Sequence, residues 1–321
     1  MKQQEEIGDS QYKVSGVWYA IIAFLTWGVF PLYWKPLKVV PAIEILAHRV
    51  FWSFVFMVIL TFYYNQWNEL KAVLIKPRKR LAVILSSLLV SLNWGLYIWA
   101  VNAGHIVDAS LGYYINPLLS VCLGMLVLKE RLNFWQWISL LMAAGGVLIF
   151  GVQYGKIPWI ALSLALSFGS YGLVKKMANI ESIIGLTLET AVMTPLAAGY
   201  LLWLQFHGFG AFGNSPLWIT LMLAGAGIVT AVPLIWFTRA TQRVPLSVVG
   251  FIQYLTPTMI LFLGVFLYHE TFSPVHLIGF GTIWAALLLF SCSHFKFMQR
   301  YQPSRFKGRQ DIVELPVTEE L

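Results

Sequence analysis

The stretch LTWGVFPLYWK (residues 25–35) returns 141 positions later as LSFGSYGLVKK (residues 166–176). Leu, Gly, Leu and Lys recur at matching places, and an aromatic ring is kept where Trp27 pairs with Phe168. The match predicts that the chain contains two homologous halves, each opening with this motif.

The repeat continues beyond this motif. At an offset of 140, Pro117 and Glu130 fall on Pro257 and Glu270. Because both glutamates stand where an apolar run ends, we expect each at a helix end or in a loop salt bridge. The register holds over two separate regions, so chance does not explain it.

The composition indicates that the solvent of this chain is a lipid bilayer. Hydrophobic residues make up 58% of the 321 positions and charged residues only 11%, against roughly a quarter charged in soluble domains. The net charge of +8 is gathered in short connecting segments and in the C-terminal tail, which argues against a nucleic acid partner. An ordinary soluble domain is excluded.

Ten windows are apolar and long enough to cross the ~30 Å hydrocarbon core. They span residues 16–34, 43–64, 81–101, 109–128, 134–152, 157–174, 183–204, 217–237, 246–268 and 275–295. We therefore expect an all-α membrane protein of ten transmembrane helices. Its parts are an N-terminal tail (1–15), two five-helix halves (16–152 and 157–295) and a C-terminal tail (296–321) that turns from basic to acidic.

The basic residues predict the orientation of these helices. Eighteen of the 22 Lys and Arg residues fall in segments on one side of the predicted topology, and three fall on the other. Five of the eighteen lie between the second and third windows, in a predicted loop. The positive-inside rule then places this loop and both termini in the cytoplasm.

An odd number of spans in each half makes the repeat inverted, because the second half enters the membrane from the opposite side. Inverted repeats of this kind build many secondary transporters. Two nearly equivalent halves have two nearly equivalent packings, one open to each side, which is the basis of alternating access.

The sequence also resembles a known family. The segments that carry the resemblance are AFLTWGVFPLYWK, EILAHRVFWS, NWGLYIWAVN, ASLGYYINPLLS, LGMLVLKERL, GIVTAVPL and GFIQYLTPT. They are similar to the drug/metabolite transporter superfamily with EamA-type repeats, and within it to the RarD (chloramphenicol-sensitivity) family. The resemblance implies ten helices, the bacterial inner (plasma) membrane, and transport of small metabolites or drugs.

Arg49 is the charged residue that lies deepest in the second window. Intramembrane charges cost at least ~2.5 kcal/mol on insertion scales, so they need a partner or a function. We expect Arg49 to bind an anionic or polar substrate group, and Glu44 and His48, one helical turn apart, to exchange protons. The alternatives are a structural Arg49–Glu44 ion pair and side chains that extend to the outer headgroups.

Glu189 in the seventh window is a third candidate for proton coupling. It falls opposite His48 in the repeat, and a desolvated carboxyl group titrates closer to neutral pH. The alternative is a glutamate hydrogen-bonded to a neighbour near a helix end.

Each half places a proline inside an apolar window, at Pro117 and Pro257. A proline frees the backbone carbonyl four residues earlier, and non-helical backbone at membrane depth lies beside protein or a water-filled cavity. We therefore expect a central site lined by the polar and aromatic residues around the two prolines: Tyr113, Tyr114, Asn116, Gln253 and Tyr254. The alternative is a kink that only shapes packing.

Trp94 and Tyr97 give the third window a polar and aromatic edge. We assign both to the substrate site, although helix packing explains them as well. Cys122 and Cys292 are isolated in apolar windows, so no metal, cofactor or disulfide is expected.

A secondary transporter is the leading hypothesis, as an exporter or exchanger, with proton coupling as one option. The sequence contains no P-loop to use ATP. The rivals are a membrane-embedded enzyme, for which H-E-x-x-H and G-x-S-x-G motifs are missing, and a channel, which needs a continuous polar lining. The expected partners are a small-molecule substrate and the lipid bilayer, and a homodimer stays open.

Overall fold

The computed structural model describes residues 2–103, 105–154, 158–267, 269, 274–293, 297–298, 301 and 303. Every regular element in these ranges is a helix. Most of the predicted C-terminal tail and Glu270 lie outside the described residues.

The helices follow one another along the chain as α1 (Lys2–Trp34), α2 (Ala42–Tyr63), α3 (Trp67–Ile75), α4 (Pro77–Asn102), α5 (Ile106–Leu126), α6 (Phe134–Tyr154), α7 (Trp159–Ala178), α8 (Ser182–Phe206), α9 (Leu217–Arg243), α10 (Leu246–Gln253), α11 (Leu255–Phe262) and α12 (Pro274–Cys292). A 3₁₀ turn, Pro36–Val39, joins α1 to α2, and a π-helical segment, Leu263–Leu267, extends α11.

Among the described residues, eight helical segments are long and apolar enough to cross a membrane. They are Val14–Trp34, Ala42–Tyr63, Pro77–Ala100, Ala109–Leu126, Phe134–Val152, Ser182–Phe206, Leu217–Arg243 and Leu246–Leu267. α12 adds a shorter apolar helix, His276–Cys292. α7 is not one of the eight, since its Ser and Gly residues and terminal Lys pair lower its hydropathy. The chain is a multi-pass membrane protein.

α3 corrects the prediction of a plain loop between the second and third windows. Leu70 and Val73 lie one turn apart and are buried against Val83 and Ile184. A nine-residue helix is too short for a search that looks for membrane-spanning lengths. Its apolar spacing of three residues is nevertheless typical of a helix that packs on one face.

The two halves pack so that exchanging them reproduces the contacts. The first half consists of α1, α2, α4, α5 and α6, and the second half consists of α7 to α12. The contact between α1 and α9 has its counterpart in the contact between α7 and α4. The contact between α2 and α9 has its counterpart in the contact between α8 and α4. The contact between α1 and α11 has its counterpart in the contact between α7 and α5. The remaining large contacts join equivalent helices: α2 with α8, α5 with α10, and α6 with α12. This pattern agrees with two homologous halves.

Aromatic rings fill the centre where α1, α7 and α9 meet. Trp27 and Phe168, the pair matched in the repeat, touch at 5.7 Å between ring centroids. Phe237 of α9 lies 5.6 Å from Trp27 and 5.3 Å from Phe168. Edge-to-face and tilted contacts of this kind stabilise beyond simple burial, so the opening motif of each half supplies the core of the interface.

One end of the bundle is closed by hydrogen bonds between connecting segments. We call it the basic end, formed by the last turns of α7 and α9 and the first turns of α4, α8 and α10. Lys176 Nζ donates to the carbonyl oxygens of Thr241 (3.0 Å) and Val244 (2.7 Å). Gln242 Nε2 donates to the carbonyl oxygen of Ile180 at 2.6 Å. These bonds join helices of the second half to one another.

Glu130 joins the two halves at the same end. Its Oε1 accepts a hydrogen bond from the backbone N–H of Leu246 at 2.6 Å, and its Oε2 accepts one from Ser247 at 2.8 Å. The first N–H groups of a helix have no partner within the helix, so this carboxylate of the first half caps α10 of the second. The expected helix-end role is confirmed for Glu130.

Gly227 provides a test of the packing between α2 and α9. A Cβ atom at this position would lie too close to the backbone of Trp52, and such overpacking typically costs about 1–3 kcal/mol. We expect Gly227→Ala to lower the Tm measured in detergent. Gly199→Ala is the matched control, because its Cβ meets no atom within 4 Å. Equal Tm values for the two variants would contradict this packing.

Candidate substrate site

Arg49 lies in α2, seven residues after Ala42, which is about 10 Å along the helix axis. Its guanidinium carbon is 4.8 Å from the ring centroid of Trp34 and 4.9 Å from that of Trp94. Indole faces are the most favourable of the aromatic rings for a cation. Residues from α1 and α4 thus hold the guanidinium group between two rings.

The charge of Arg49 has no carboxylate partner among the described residues. Its Nε donates to Thr230 Oγ1 of α9 at 3.1 Å, which is a neutral acceptor. The predicted alternative, an ion pair with Glu44, is not formed, because Glu44 contacts a different segment. A cation at this depth without a counter-ion is costly and would be stabilised by a negatively charged ligand group.

Two tyrosines complete the surroundings of Arg49. The rings of Tyr97 and Tyr113 contact each other edge to face, with centroids 6.2 Å apart. Both are within electrostatic range of Arg49, and each keeps 38% of its surface exposed. We call the six residues Trp34, Arg49, Trp94, Tyr97, Tyr113 and Thr230 the arginine cluster.

The arginine cluster contains four of the residues that the sequence indicated, but sequence reasoning missed two. Trp34 ends the first window, where a tryptophan is commonly explained by the membrane interface. Thr230 carries only a hydroxyl group in an apolar run, so no signal in the sequence distinguishes it. Both are brought to Arg49 by contacts between helices.

The other predicted lining residues lie elsewhere. Tyr114 stacks on Phe150 with ring centroids 4.9 Å apart. Tyr254 is packed among apolar residues of α6 and α12, and Asn116 and Gln253 are buried. Tyr114 and Tyr254 thus belong to the packing of α5, α6, α10 and α12, and Gln253 Oε1 accepts a hydrogen bond from Ser120 Oγ of α5 at 3.4 Å.

The two prolines have unequal effects on their helices. α5 continues through Pro117 without interruption. In the second half, α10 ends at Gln253 and α11 begins at Leu255, so the helix breaks at the carbonyl group that Pro257 frees. A broken helix is therefore present in the ninth window alone.

Glu44, His48 and Trp52 form a polar stripe on one face of α2. Glu44 Oε1 accepts a hydrogen bond from the backbone N–H of Ala211 at 2.6 Å and lies 3.9 Å from His48 Nε2. The imidazole ring stacks on Phe212 at 5.1 Å between centroids. The segment between α8 and α9 thus covers the stripe.

This polar stripe keeps several buried atoms without a partner. They are Glu44 Oε2, both ring nitrogens of His48 and Trp52 Nε1, four of the seven such atoms among the described side chains. Glu44 is 1% exposed and His48 4% exposed. Buried polar atoms without hydrogen bonds are costly, so the stripe has unused capacity for a proton or water.

Glu189 has a full set of partners. Its Oε1 accepts hydrogen bonds from Lys175 Nζ at 2.7 Å and from Ser86 Oγ at 2.8 Å, and its Oε2 accepts one from Tyr171 at 3.1 Å. Both charged side chains are at most 4% exposed. This arrangement corresponds to the predicted alternative, a hydrogen-bonded glutamate near a helix end.

The repeat relates this ion pair to the arginine cluster. At the offset of 141, Lys175 falls on Trp34 and Glu189 on His48. The helices α7, α8 and α4 of the ion pair correspond to α1, α2 and α9 of the arginine cluster. Arg49 itself falls on Thr190. Equivalent helix junctions, rather than equivalent positions, thus hold a neutralised charge pair in one case and, in the other, a cation that no described carboxylate pairs with.

The chain is similar to known transporters over nearly all of its length. The model of the EamA-like transporter family matches residues 14–152 and 156–292. An uncharacterized transporter of Bacillus subtilis, YojE, is 50% identical over 286 residues, covering 88% of this chain and 95% of the relative. Protein RarD of Escherichia coli is 43% identical over 282 residues, with coverage of 88% and 95%.

The fold is shared with a solved crystal structure. It is 17% identical in sequence, superimposes with a TM-score of 0.67, and covers 88% of this chain and 99% of its own.

The Lys175–Glu189 pair predicts a large effect on stability. Lys175→Met leaves a carboxylate buried without its cation, which typically costs about 3–5 kcal/mol. We expect a lower Tm in detergent for this variant and a smaller loss for Lys175→Met/Glu189→Leu, which removes both charges. Lys71→Met, at an exposed site, is the control. A single variant as stable as the control would contradict the ion pair.

Proposed function

Because this chain belongs to the EamA-like transporter family, we propose that it is a secondary transporter that exports or exchanges small molecules by alternating access. Family membership and the names of the relatives support transport. The helix contacts are similar when the two halves are exchanged, which supports alternating access. Two such halves can adopt two similar arrangements, one open to each side of the membrane. The single observation that carries the choice of site is the cation of Arg49 between two indole rings.

The proposed topology has ten spans with both termini in the cytoplasm of a bacterial cell. α7 and α12 complete the ten, because the repeat pairs them with α1 and α6, which are apolar and long enough to cross. The positive-inside rule supports a cytoplasmic basic end. The hydrogen bonds of Glu130 and Lys176 across that end support a conformation closed to the cytoplasm.

The proposed substrate carries a negative or strongly polar group next to an apolar or planar part. Arg49 supplies the positive charge, and arginine matches carboxylate and phosphate groups in two-point contacts. Trp34 and Trp94 supply flat apolar surfaces, and the hydroxyl groups of Tyr97 and Tyr113 supply hydrogen bonds. Comparing metabolites in the medium of overproducing and deleted cells names the substrate for the tests below.

Counterflow in proteoliposomes distinguishes a carrier from a channel. When proteoliposomes are preloaded with unlabelled substrate, a carrier takes up labelled substrate transiently above equilibrium. This happens because the binding site carries unlabelled substrate outward each time it reorients. A channel shows equilibration alone. Chemical change of the labelled compound during the assay would instead favour an enzyme.

Arg49 is the residue on which the substrate proposal depends. Arg49→Ala removes a charged contact, and such contacts are worth about 1.5–3 kcal/mol, so we expect counterflow to fall at least about tenfold. Arg49→Lys keeps the charge without the planar group and is expected to recover only part of the activity. Arg78→Ala, at an exposed site, is the control. Full counterflow by Arg49→Ala would remove the assignment.

The polar stripe is proposed to couple transport to protons. Glu44→Gln keeps the oxygen that accepts from Ala211 but cannot release a proton, and His48→Gln removes the imidazole group. We expect both variants to lose substrate accumulation driven by a pH gradient while keeping counterflow. Glu69→Gln, an exposed carboxyl group, is the control. Unchanged gradient-driven accumulation in both variants would exclude coupling through the stripe, whereas loss of counterflow would place the defect in the carrier cycle itself.

Glu189 is proposed as a third coupling group. Its ion pair with Lys175 makes its carboxylate less available for protonation.

A further inference from the structure

α3 has a second apolar surface that is partly exposed. Leu70 and Val73 pack toward α8. By contrast, Trp67, Leu74 and Ile75 are exposed, Ile75 by 77%. Exposed tryptophan and aliphatic side chains on a short helix at the end of a membrane bundle are typical of a helix lying in the interface.

A groove opens where α3 meets the turn between α7 and α8. Its volume is about 230 Å³. Val73, Ile180 and Ile184 form an apolar floor, and Lys76 and Lys79 lie along its rim. The groove therefore combines a hydrophobic base with two ammonium groups.

The groove lining is balanced in charge, with two ammonium groups and two carboxylates, but the α3 segment around it is basic and favours an anion. Two carboxylates also line it, Glu69 and Glu181. Glu181 is already engaged, since its Oε2 accepts from the backbone N–H groups of Ile183 (2.7 Å) and Ile184 (3.1 Å) at the start of α8. Along residues 67–80, five basic side chains stand against the single carboxylate of Glu69.

The second half has no counterpart to this groove. The segment between α8 and α9, HGFGAFGNSP (residues 207–216), contains no Lys or Arg and no helix. It is also the segment that covers Glu44 and His48. Duplication of the fold therefore does not account for α3 or its basic groove.

We propose that the groove binds the headgroup of an anionic phospholipid. The phosphate lies between Lys76 and Lys79, and the acyl chains cover Trp67, Leu74 and Ile75. Clusters of basic residues beside the cytoplasmic end of a membrane helix recognise anionic lipids through this combination of charge and insertion. The bound lipid fixes α3 against α8, which itself packs on the helix that carries Arg49.

The test measures lipid retention by native mass spectrometry and the Tm of the purified full chain in a neutral detergent. Phosphatidylglycerol is titrated against phosphatidylcholine, with inorganic phosphate as a third arm. Lys76→Gln/Lys79→Gln is compared with Arg78→Gln/Arg80→Gln, which loses the same charge at residues outside the groove. Trp67→Ala tests the acyl contact without changing the charge.

We expect phosphatidylglycerol to be retained and to raise the Tm, with at least a tenfold weaker effect in the lysine double variant. The arginine double variant should stay within twofold of the unaltered chain, and Trp67→Ala should weaken retention. Inorganic phosphate should leave the Tm unchanged. Equal retention of phosphatidylcholine, equal losses in both double variants, or a phosphate effect matching that of the lipid would each overturn the proposal. If the lysine double variant is less stable before lipid is added, unaltered retention by Trp67→Ala overturns it instead.

Discussion

The cost of placing a charge inside hydrocarbon determines how the two halves of this protein differ. Where α7, α8 and α4 meet, Lys175 and Glu189 neutralise each other, and the hydroxyl group of Tyr171 donates to the remaining carboxylate oxygen. Where the equivalent helices α1, α2 and α9 meet, Arg49 contacts the indole ring of Trp34 and the hydroxyl group of Thr230, and α4 adds the indole ring of Trp94. The first arrangement is electrically complete, whereas the second leaves positive charge for a ligand to balance.

Much of the fold follows from pattern alone. The repeat and the apolar windows predict an all-α membrane protein, and eight described segments have the length and composition to cross. α3 escaped prediction because a nine-residue helix leaves no signal in a search for spans. The break after Gln253 follows from Pro257, but the sequence does not tell why Pro117 leaves α5 intact.

The candidate site was predictable only in part, and the reason is geometric. Arg49 stands out because charge is rare in a span, and Trp94 and Tyr97 stand out because three residues separate them on one helix. Trp34 and Thr230 depend on which helices touch, and Thr230 is 181 positions from its partner Arg49. Tyr113 and Tyr114 are adjacent in sequence, yet they point about 100° apart on a helix of 3.6 residues per turn. Neighbours in the sequence thus serve different interfaces.

The exchange of equivalent contacts between the halves has an energetic consequence. If the halves were identical, the arrangements open to either side would have the same free energy and would be equally populated. Every contact without a counterpart then changes the free-energy difference between the two arrangements. A change of about 1.4 kcal/mol shifts the ratio of their populations tenfold. In the proposed alternating-access cycle, the divergence of the two halves, from Lys175 against Trp34 to α3 against the segment 207–216, would set the resting state of the protein.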